Sequence, residues 1–246
     1  MDRQIETASA VIKKSKHLIA FTGAGISVES GIPAFRGTQG VWTKYDPKVL
    51  DLDYFLENPE RCWTYIRKIF YEYFDRSQPN QAHLVMARLE KKGVLKSVVT
   101  QNIDNLHQEA GSHAVREFHG NSKQLICLKC GRKYAVSEFD LDRLPPKCKH
   151  DGTVLKPNFI FFGEGIPEQA YSLSVSDARQ ADVCLVVGST GEVVPAAYIP
   201  RMAKEHGATI IEINPEISSF TGSITDIYLP GKAAEVLVRL EQILLE

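Results

Sequence analysis

Residues 17–25 read HLIAFTGAG, a short apolar run that stops at a threonine and two glycines separated by one alanine. A run of this length bounded by glycine reads as a buried strand entering a tight turn. The pattern recurs in GVLKSVVTQN (93–102), DVCLVVGS (182–189) and ATIIEIN (208–214), each β-branched and each ending in small or polar residues. Helical periodicity precedes two of them, in QAHLVMARLEKK (81–92) and PAAYIPRMAKEH (195–206), and residues 3–15 predict a further surface helix. Strand and helix in alternation predict an α/β fold, a Rossmann-like parallel sheet with helices on both faces. Sheets of this kind bind ligands outside the carboxyl ends of their strands. TGAG, TQNID, GST and INPE all fall there.

Two stretches interrupt the alternation. Residues 37–79 are rich in aromatics and predict a helical excursion that begins with a mobile loop. Residues 120–157 hold three of the five cysteines, a Pro-Pro pair and little helical periodicity, and predict a small metal-held insertion. The expected organisation is therefore a Rossmann-like domain from 1–36, 80–119 and 158–246, with a helical excursion at 37–79 that carries a ligand-binding loop and a metal-held insertion at 120–157, together the small domain.

Composition excludes several classes. The chain has 246 residues, 43% of them apolar, enough for a sizeable core. A net charge of −1 with no single-sign run argues against a nucleic-acid-binding surface. No apolar run is long enough to span a membrane, and the start of the chain lacks a signal-peptide cleavage site. Five cysteines, two of them in CxxC, fit a reducing compartment, the cytoplasm. The residues carry no signature of an oligomeric state.

In TGAGISVESGIPAFRG (22–37), Gly23 and Gly25 let backbone N–H groups approach a pyrophosphate at the start of a helix. The spacing is not GxGxxG, so the turn also reads as a plain strand-to-helix connection. Arg36 can pair with a phosphate or lie in solvent. Gln101, Asn102 and Asp104 follow a buried strand and can bond an amide, a ribose or a water. Helix capping is the simpler role, but three such residues in four exceed what one cap needs. His107 reads as a helix-surface or packing histidine.

Cys127 and Cys130 form one zinc knuckle, and Cys148 follows at the spacing of a second. The expected second CxxC reads Cys148-Lys149-His150-Asp151, so a cysteine is missing. Asp151 has the register, His150 the better ligand chemistry beside thiolates, and His119 is a more distant candidate. A decayed site held by packing alone is the remaining possibility. Cys62 and Cys184 lie in apolar surroundings and read as core. His119, in REFHGN, is then free to act as a general base near neutral pH.

Taken in order, GAGIS, GIPAFRG, TQNID, FHGN, the spaced cysteines, NFIFFGE, GST and INPE resemble the sirtuins, the family of NAD-dependent protein deacylases. The resemblance covers the chain from about residue 10 to residue 240. It implies that Gly23, Ala24, Gly25, Ser27, Phe35 and Arg36 line the NAD site. Gln101, Asn102, Ile103 and Asp104 correspond to the ribose and nicotinamide pocket, and Gly188, Ser189, Asn214 and Ala233 to the adenosine end. It further implies that His119 is the catalytic base, with Asn102 beside it. Ile160, Phe161, Phe162, Gly163 and Glu164 then meet an acetylated lysine in an extended protein segment, largely through backbone pairing. Cys127, Cys130, Cys148 and Asp151 hold one structural zinc.

In that family the acyl-lysine amide oxygen attacks the ribose carbon that bears nicotinamide. Nicotinamide leaves, the histidine activates a ribose hydroxyl, and water releases lysine and O-acyl-ADP-ribose. Ala34 departs from the commoner aspartate, and GST from GTS. Members that favour succinyl or malonyl groups carry Tyr-x-x-Arg, where this chain has Ile66 and Ile69. An apolar pair cannot satisfy a buried carboxylate, so acetyl or another neutral acyl group is expected. A mono-ADP-ribosyltransferase on the same fold and a non-catalytic NAD or ADP-ribose sensor are the alternatives. The glycine spacing and the insertion disfavour a nicotinamide dehydrogenase.

Overall fold

The computed structural model describes residues 2–35 and 40–245. Along the chain run helix α1 (Asp2–Lys14), strand β1 (Leu18–Thr22), a 3-10 turn at Ala24–Ser30, and short helices α2 (Leu52–Glu57) and α3 (Pro59–Ile66). A π-helical turn at Arg67–Tyr71 leads into α4 (Glu72–Phe74), then α5 (Gln81–Lys91), β2 (Leu95–Thr100), α6 (Leu106–Glu109) and β3 (Val115–Glu117). There follow β4 (Gly120–Ile126), β5 (Lys133–Ala135), β6 (Lys156–Phe159), α7 (Glu168–Gln180) and β7 (Val183–Val187). The chain ends with α8 (Tyr198–Glu205), β8 (Thr209–Asn214), β9 (Ile227–Pro230) and α9 (Ala233–Leu245).

Six strands form one sheet in the order β3-β2-β1-β7-β8-β9, and every neighbouring pair is parallel. The alternation predicts this sheet because β1 and β7 are buried at every residue. Leu18 and Ala20 of β1 pack on one face with α1, α5 and α9, whereas Ile19 and Phe21 pack on the other with α7 and α8. A strand covered on both faces must be apolar throughout, which is why no polar alternation is visible in it. The strand order reverses between β1 and β7, so a crevice opens there at the carboxyl edge.

Three further strands, β5-β4-β6, make a small antiparallel sheet. It packs with α2, α3 and the π-helical turn around a second apolar cluster that includes Trp63, Phe70, Leu125 and Leu155. The two interruptions of the sequence pattern thus share one core. Trp63 is fully buried and its indole Nε1 donates to the Leu155 carbonyl at 2.7 Å. Tyr71 donates to the Ser122 carbonyl at 3.0 Å. The small sheet runs on through Phe159, two residues past 157, where the insertion was expected to end.

The expected helix after the glycine turn is only a seven-residue 3-10 turn, Ala24–Ser30. Gly31, at φ 86° in the left-handed region, caps it, and Pro33 follows. No helix among the described residues is long and apolar enough to cross a membrane.

At the crevice the backbones of two turns touch. The Gly25 N–H donates to the Gly188 carbonyl at 2.9 Å, and a Cβ on Gly188 would lie 2.4 Å from the Ile26 nitrogen. Gly188→Ala is therefore expected to lose about 3 kcal/mol or more in urea denaturation. Gly207→Ala shares the positive φ but meets no atom within 4 Å, and is expected to lose only about 1 kcal/mol.

Candidate active site and metal centre

A cleft of about 1060 Å³ opens at the crevice between the large sheet and the small domain. Gly23, Ala24 and Gly25 from the β1 turn line it together with Phe35, Gln101, Asn102 and Ile103. Gly188 and Ser189 from the β7 turn, Asn214 at the end of β8 and Ala233 at the start of α9 line the far side. His119 and the whole segment Ile160, Phe161, Phe162, Gly163 and Glu164 complete the wall. Ser27 and Asp104 line a small adjoining pocket that shares Ala24, Phe35, Asn102 and Ile103 with the main cleft. Arg36 lies outside the described residues, as does the rest of the loop through Gln39.

Strand ends account for this convergence. Thr22, Thr100 and Val187 are level in the sheet, so the residues after them project from one edge. Gln101 donates through Nε2 to Ser189 Oγ at 2.9 Å, bridging from β2 to β7. Asn102 donates through Nδ2 to the Gly23 carbonyl (3.2 Å) and to Ser27 Oγ (3.1 Å). Among the described residues no hydrogen bond reaches its Oδ1, which leaves an acceptor at the cleft.

His119 follows β3 and precedes Gly120, at the point where the chain passes from one sheet to the other. Its Nδ1 lies 3.1 Å from the Gln101 carbonyl oxygen. A carbonyl only accepts, so Nδ1 carries the proton and the neutral ring presents the Nε2 lone pair. Burial lowers the imidazole pKa, and the bond to Gln101 opposes that shift only in part. The ring is thus a neutral base near pH 7.

Beneath the cleft floor is a buried polar network that sequence reasoning missed in part. Ser27 Oγ donates to Asp104 Oδ2 at 2.7 Å, and the Leu106 N–H donates to Asp104 Oδ1 at 3.0 Å. His83 Nδ1 accepts from the Asn80 N–H at 3.3 Å, so its Nε2 is the protonated nitrogen facing Ser27 Oγ at 3.4 Å. His107 is buried, with Nε2 2.9 Å from Thr22 Oγ1 and its ring 4.9 Å from that of His83. Of the two roles read for His107, it has the packing one. Burial raises the Asp104 carboxyl pKa, pushes His83 down to about 4, and holds His107 well below the ordinary histidine value. The one available signal for His83 was the helix start Asn80-Gln81-Ala82-His83, where Asn80 caps α5 and His83 closes the capping box.

The cysteines gather elsewhere. Ligand atoms of Cys127, Cys130, Cys148 and Asp151 all lie within 4.8 Å of one another. Cys130 and Cys148 sulfurs are 3.7 Å apart, and Cys127 Sγ lies 3.5 Å from Asp151 Oδ2. A tetrahedron with Zn–S bonds of about 2.3 Å has S···S edges of about 3.8 Å, so the four groups fit zinc. The Thr153 N–H donates to Asp151 Oδ1 at 3.0 Å and holds that carboxyl below its usual range. The Tyr134 hydroxyl lies 3.2 Å from Cys148 Sγ. Neither His150 nor His119 joins the group. Cys62 and Cys184 are buried in apolar clusters and join neither the metal-ligand group nor the cleft lining.

These features define a doubly wound α/β protein with a deep cleft at its switch point and a separate cysteine-rich module. The model of the Sir2 family matches residues 23–195, and the chain belongs to that family. It is 44% identical over 231 residues to NAD-dependent protein deacylase 2 of Pyrobaculum aerophilum, with 94% of this chain and 92% of that protein covered. A crystal structure of a Sir2 homolog–NAD complex superposes with a TM-score of 0.90 at 38% identity, covering 98% of this chain and 93% of that one. The structure of a Sir2 protein bound to a myristoylated histone peptide superposes with a TM-score of 0.83 at 36% identity, covering 99% and 97%.

The buried histidines make stability depend on pH. Both have folded pKa values below the unfolded value, so stability is full above about pH 6.5 and falls as pH drops toward the folded values. Urea-denaturation free energy measured from pH 7.5 to 4.5 is expected to fall more steeply in the natural protein than in His83→Gln, by about 1.4 kcal/mol per pH unit. Equal slopes would mean that His83 titrates alike in both states.

Proposed function

We propose that this protein is an NAD-dependent protein-lysine deacylase with His119 as its general base. The observation that carries the reading is the His119 Nδ1 contact with the Gln101 carbonyl. It presents a neutral Nε2 to the same cleft as Asn102 Oδ1 and the glycine turns. NAD supplies the acyl acceptor. In the net reaction acyl-lysine, NAD and one water give free lysine, nicotinamide and O-acyl-ADP-ribose.

The roles divide by position. Gly23, Ala24 and Gly25 admit the pyrophosphate, because their turn lines the cleft and carries little side chain to keep a phosphate away. Ser189, Asn214 and Ala233 serve the adenosine end. Asn102, Ile103 and Asp104, with Ser27 and Phe35, form the pocket for nicotinamide and its ribose. His119 accepts a proton from a ribose hydroxyl through Nε2. An amide oxygen is a poor nucleophile and must be held close and dry. Phe161 and Phe159, both buried, with Phe70 behind them, supply that apolar wall. The Gly163 backbone makes no hydrogen bond among the described residues and has open space around its Cα, which suits pairing with an extended peptide.

A neutral acyl group fits this wall. Ile66 and Ile69 are buried in the small-domain core and offer no partner to a second carboxylate. The relative bound to a myristoylated histone peptide supports an acyl range that extends to long chains. We assign residues 1–36, 80–119 and about 158–246 to the NAD-binding domain and the remainder to the small domain. A zinc ion on Cys127, Cys130, Cys148 and Asp151 is structural, since all four positions are protein ligands. The five free cysteines support a reducing, cytoplasmic setting.

The deciding assay follows nicotinamide release from NAD with acetyl-lysine and succinyl-lysine peptides. Release is expected to depend on the acetyl peptide and to be slower with succinyl. His119→Ala is expected to reduce turnover by about a thousandfold while calorimetric NAD affinity stays close to that of the natural protein. Label from NAD on protein in place of O-acetyl-ADP-ribose would indicate a mono-ADP-ribosyltransferase, and NAD binding without release a sensor.

The metal assignment has its own measurement. Elemental analysis is expected to find about one zinc per chain, reduced after dialysis against chelator in Asp151→Ala and unchanged in His150→Ala. The reverse pattern would transfer the fourth position to His150.

A further inference from the structure

Lys156 is the one lysine in the buried core, with a side chain 3% exposed. Its ammonium donates to the Pro157 carbonyl at 2.9 Å, the Phe159 carbonyl at 2.7 Å and Glu164 Oε2 at 2.8 Å. Three donors thus meet three acceptors. The same ammonium lies 4.2 Å from the centroid of the Phe161 ring. Glu164 Oε2 also accepts from the Phe161 N–H at 2.7 Å, while the Glu164 N–H donates to the Phe161 carbonyl at 3.0 Å. The turn from Phe159 to Glu164 is therefore wrapped around one buried positive charge.

The outer side of that turn faces the cleft. Phe162 is 55% exposed, and its backbone pairs with Leu50 and Leu52 at 2.8 and 3.1 Å. Gly163, at φ 92°, forms the tip. The inner side reaches the histidine, because the Ile160 N–H donates to the His119 carbonyl at 2.9 Å. A buried ammonium persists only where it is paired and hydrogen-bonded. Here its partners are the Pro157 and Phe159 carbonyls of β6 itself and, across from them, Glu164 and Phe161 of the turn that presents Gly163 and abuts His119. The Glu164 carboxylate is committed inward to Lys156 and Phe161.

We propose that Lys156 is a positioning residue for substrate: its ion pair with Glu164 holds the 160–164 turn in the shape that pairs with the acyl-lysine peptide. The inference rests on the deacylase reading of the cleft. Among the described residues none of the bonds of Lys156 reaches the β1 turn or the β7 turn, so its effect falls on the peptide and not on the dinucleotide.

Lys156→Met keeps much of the volume and removes the charge. It is expected to raise KM for an acetyl-lysine peptide roughly tenfold or more, with the calorimetric Kd for ADP-ribose changed less than about twofold. Lys156→Arg, which keeps the charge and the donors, is expected to restore peptide KM to within about threefold. If the Met variant does not fold, Glu164→Gln is expected to show the same split in smaller measure. Unchanged peptide KM, or equal losses for peptide and ADP-ribose, would overturn the proposal. The natural protein is measured in the same series. No nicotinamide release from it overturns the deacylase reading and this inference together, whereas normal release with an unaltered variant KM overturns the inference alone.

Discussion

The cleft depends on a contact between two stretches of backbone. Gly23, Gly25 and Gly188 meet so closely that a Cβ on any of them would lie 2.7, 2.6 or 2.4 Å from the opposing turn. Without side chains between them, the turns after β1 and β7 close on each other and the Gly25 N–H bonds the Gly188 carbonyl. That closure fixes the floor of the crevice at the strand-order reversal. It also sets where Gln101 meets Ser189 and where Asn102 meets Gly23, since both side chains bridge across the same edge. A glycine spacing that does not follow GxGxxG is thus explained by its partner. The third glycine of the cradle lies at position 188, distant in sequence and adjacent in space.

Around that floor the buried carboxylates and amides are answered by hydrogen bonds, whereas His107 Nδ1 has no partner among the described residues. Asp104 carries bonds from Ser27 and Leu106, and its raised pKa reflects burial that those bonds offset in part. Glu212 is fully buried and forms no ion pair among the described residues. It accepts from Asn214 Nδ2, Ser218 Oγ, Thr221 Oγ1 and Thr225 Oγ1. Asn214 Nδ2 bonds the Ser189 carbonyl as well, so this carboxylate ties the end of β8 to the β7 turn. Such networks favour one geometry, because an unpaired member in a low-dielectric interior is expensive. The neutral histidines follow the same rule. Burial removes their charge, and at His119 and His83 the carbonyl or amide beside the ring selects the tautomer.

The sequence made the large sheet legible where strands were apolar without alternation, at β1, β2, β7 and β8. It hid β9, whose Ile227-Tyr228-Leu229-Pro230 is short and mixed, and α7, whose EQAYSLSVSDARQ buries only Ser174, Asp177 and Ala178. The strands of the insertion were invisible for a related reason. β5 is three residues long and mostly exposed, and β4 pairs irregularly between Gly120 and Leu125. Cleft residues after strand ends were readable from position and residue type. Leu50, Trp42 and Phe70 were not, because they reach the cleft from a helical excursion that looks like core. Lys156 was invisible because a lysine in sequence reads as solvent-exposed, and only its partners Pro157, Phe159 and Glu164 reveal that it is buried.

The histidine beside the CxxC is resolved by the strand between them. His119 immediately precedes β4 and Cys127 immediately follows it, so the two ends are separated by roughly 20 Å of strand. Near one end Gly120, at φ 73°, lets β4 press against β6, where a Cβ would lie 2.4 Å from the Asn158 carbonyl. At the other end β4 is pinned by the Cys127 N–H donating to the Arg132 carbonyl at 2.9 Å and by the ligand cluster itself. A zinc ion in that cluster is too far away to polarise anything at the imidazole. Any effect of a metal held there on the cleft would be mechanical. By fixing one end of β4 it would limit how far β6 can slide, and β6 leads from Lys156 into the turn whose Ile160 N–H holds the His119 carbonyl. A metal held there with the Asp151 carboxylate in place of the missing cysteine would keep that anchoring, so the departure at position 151 is compatible with an unaltered cleft.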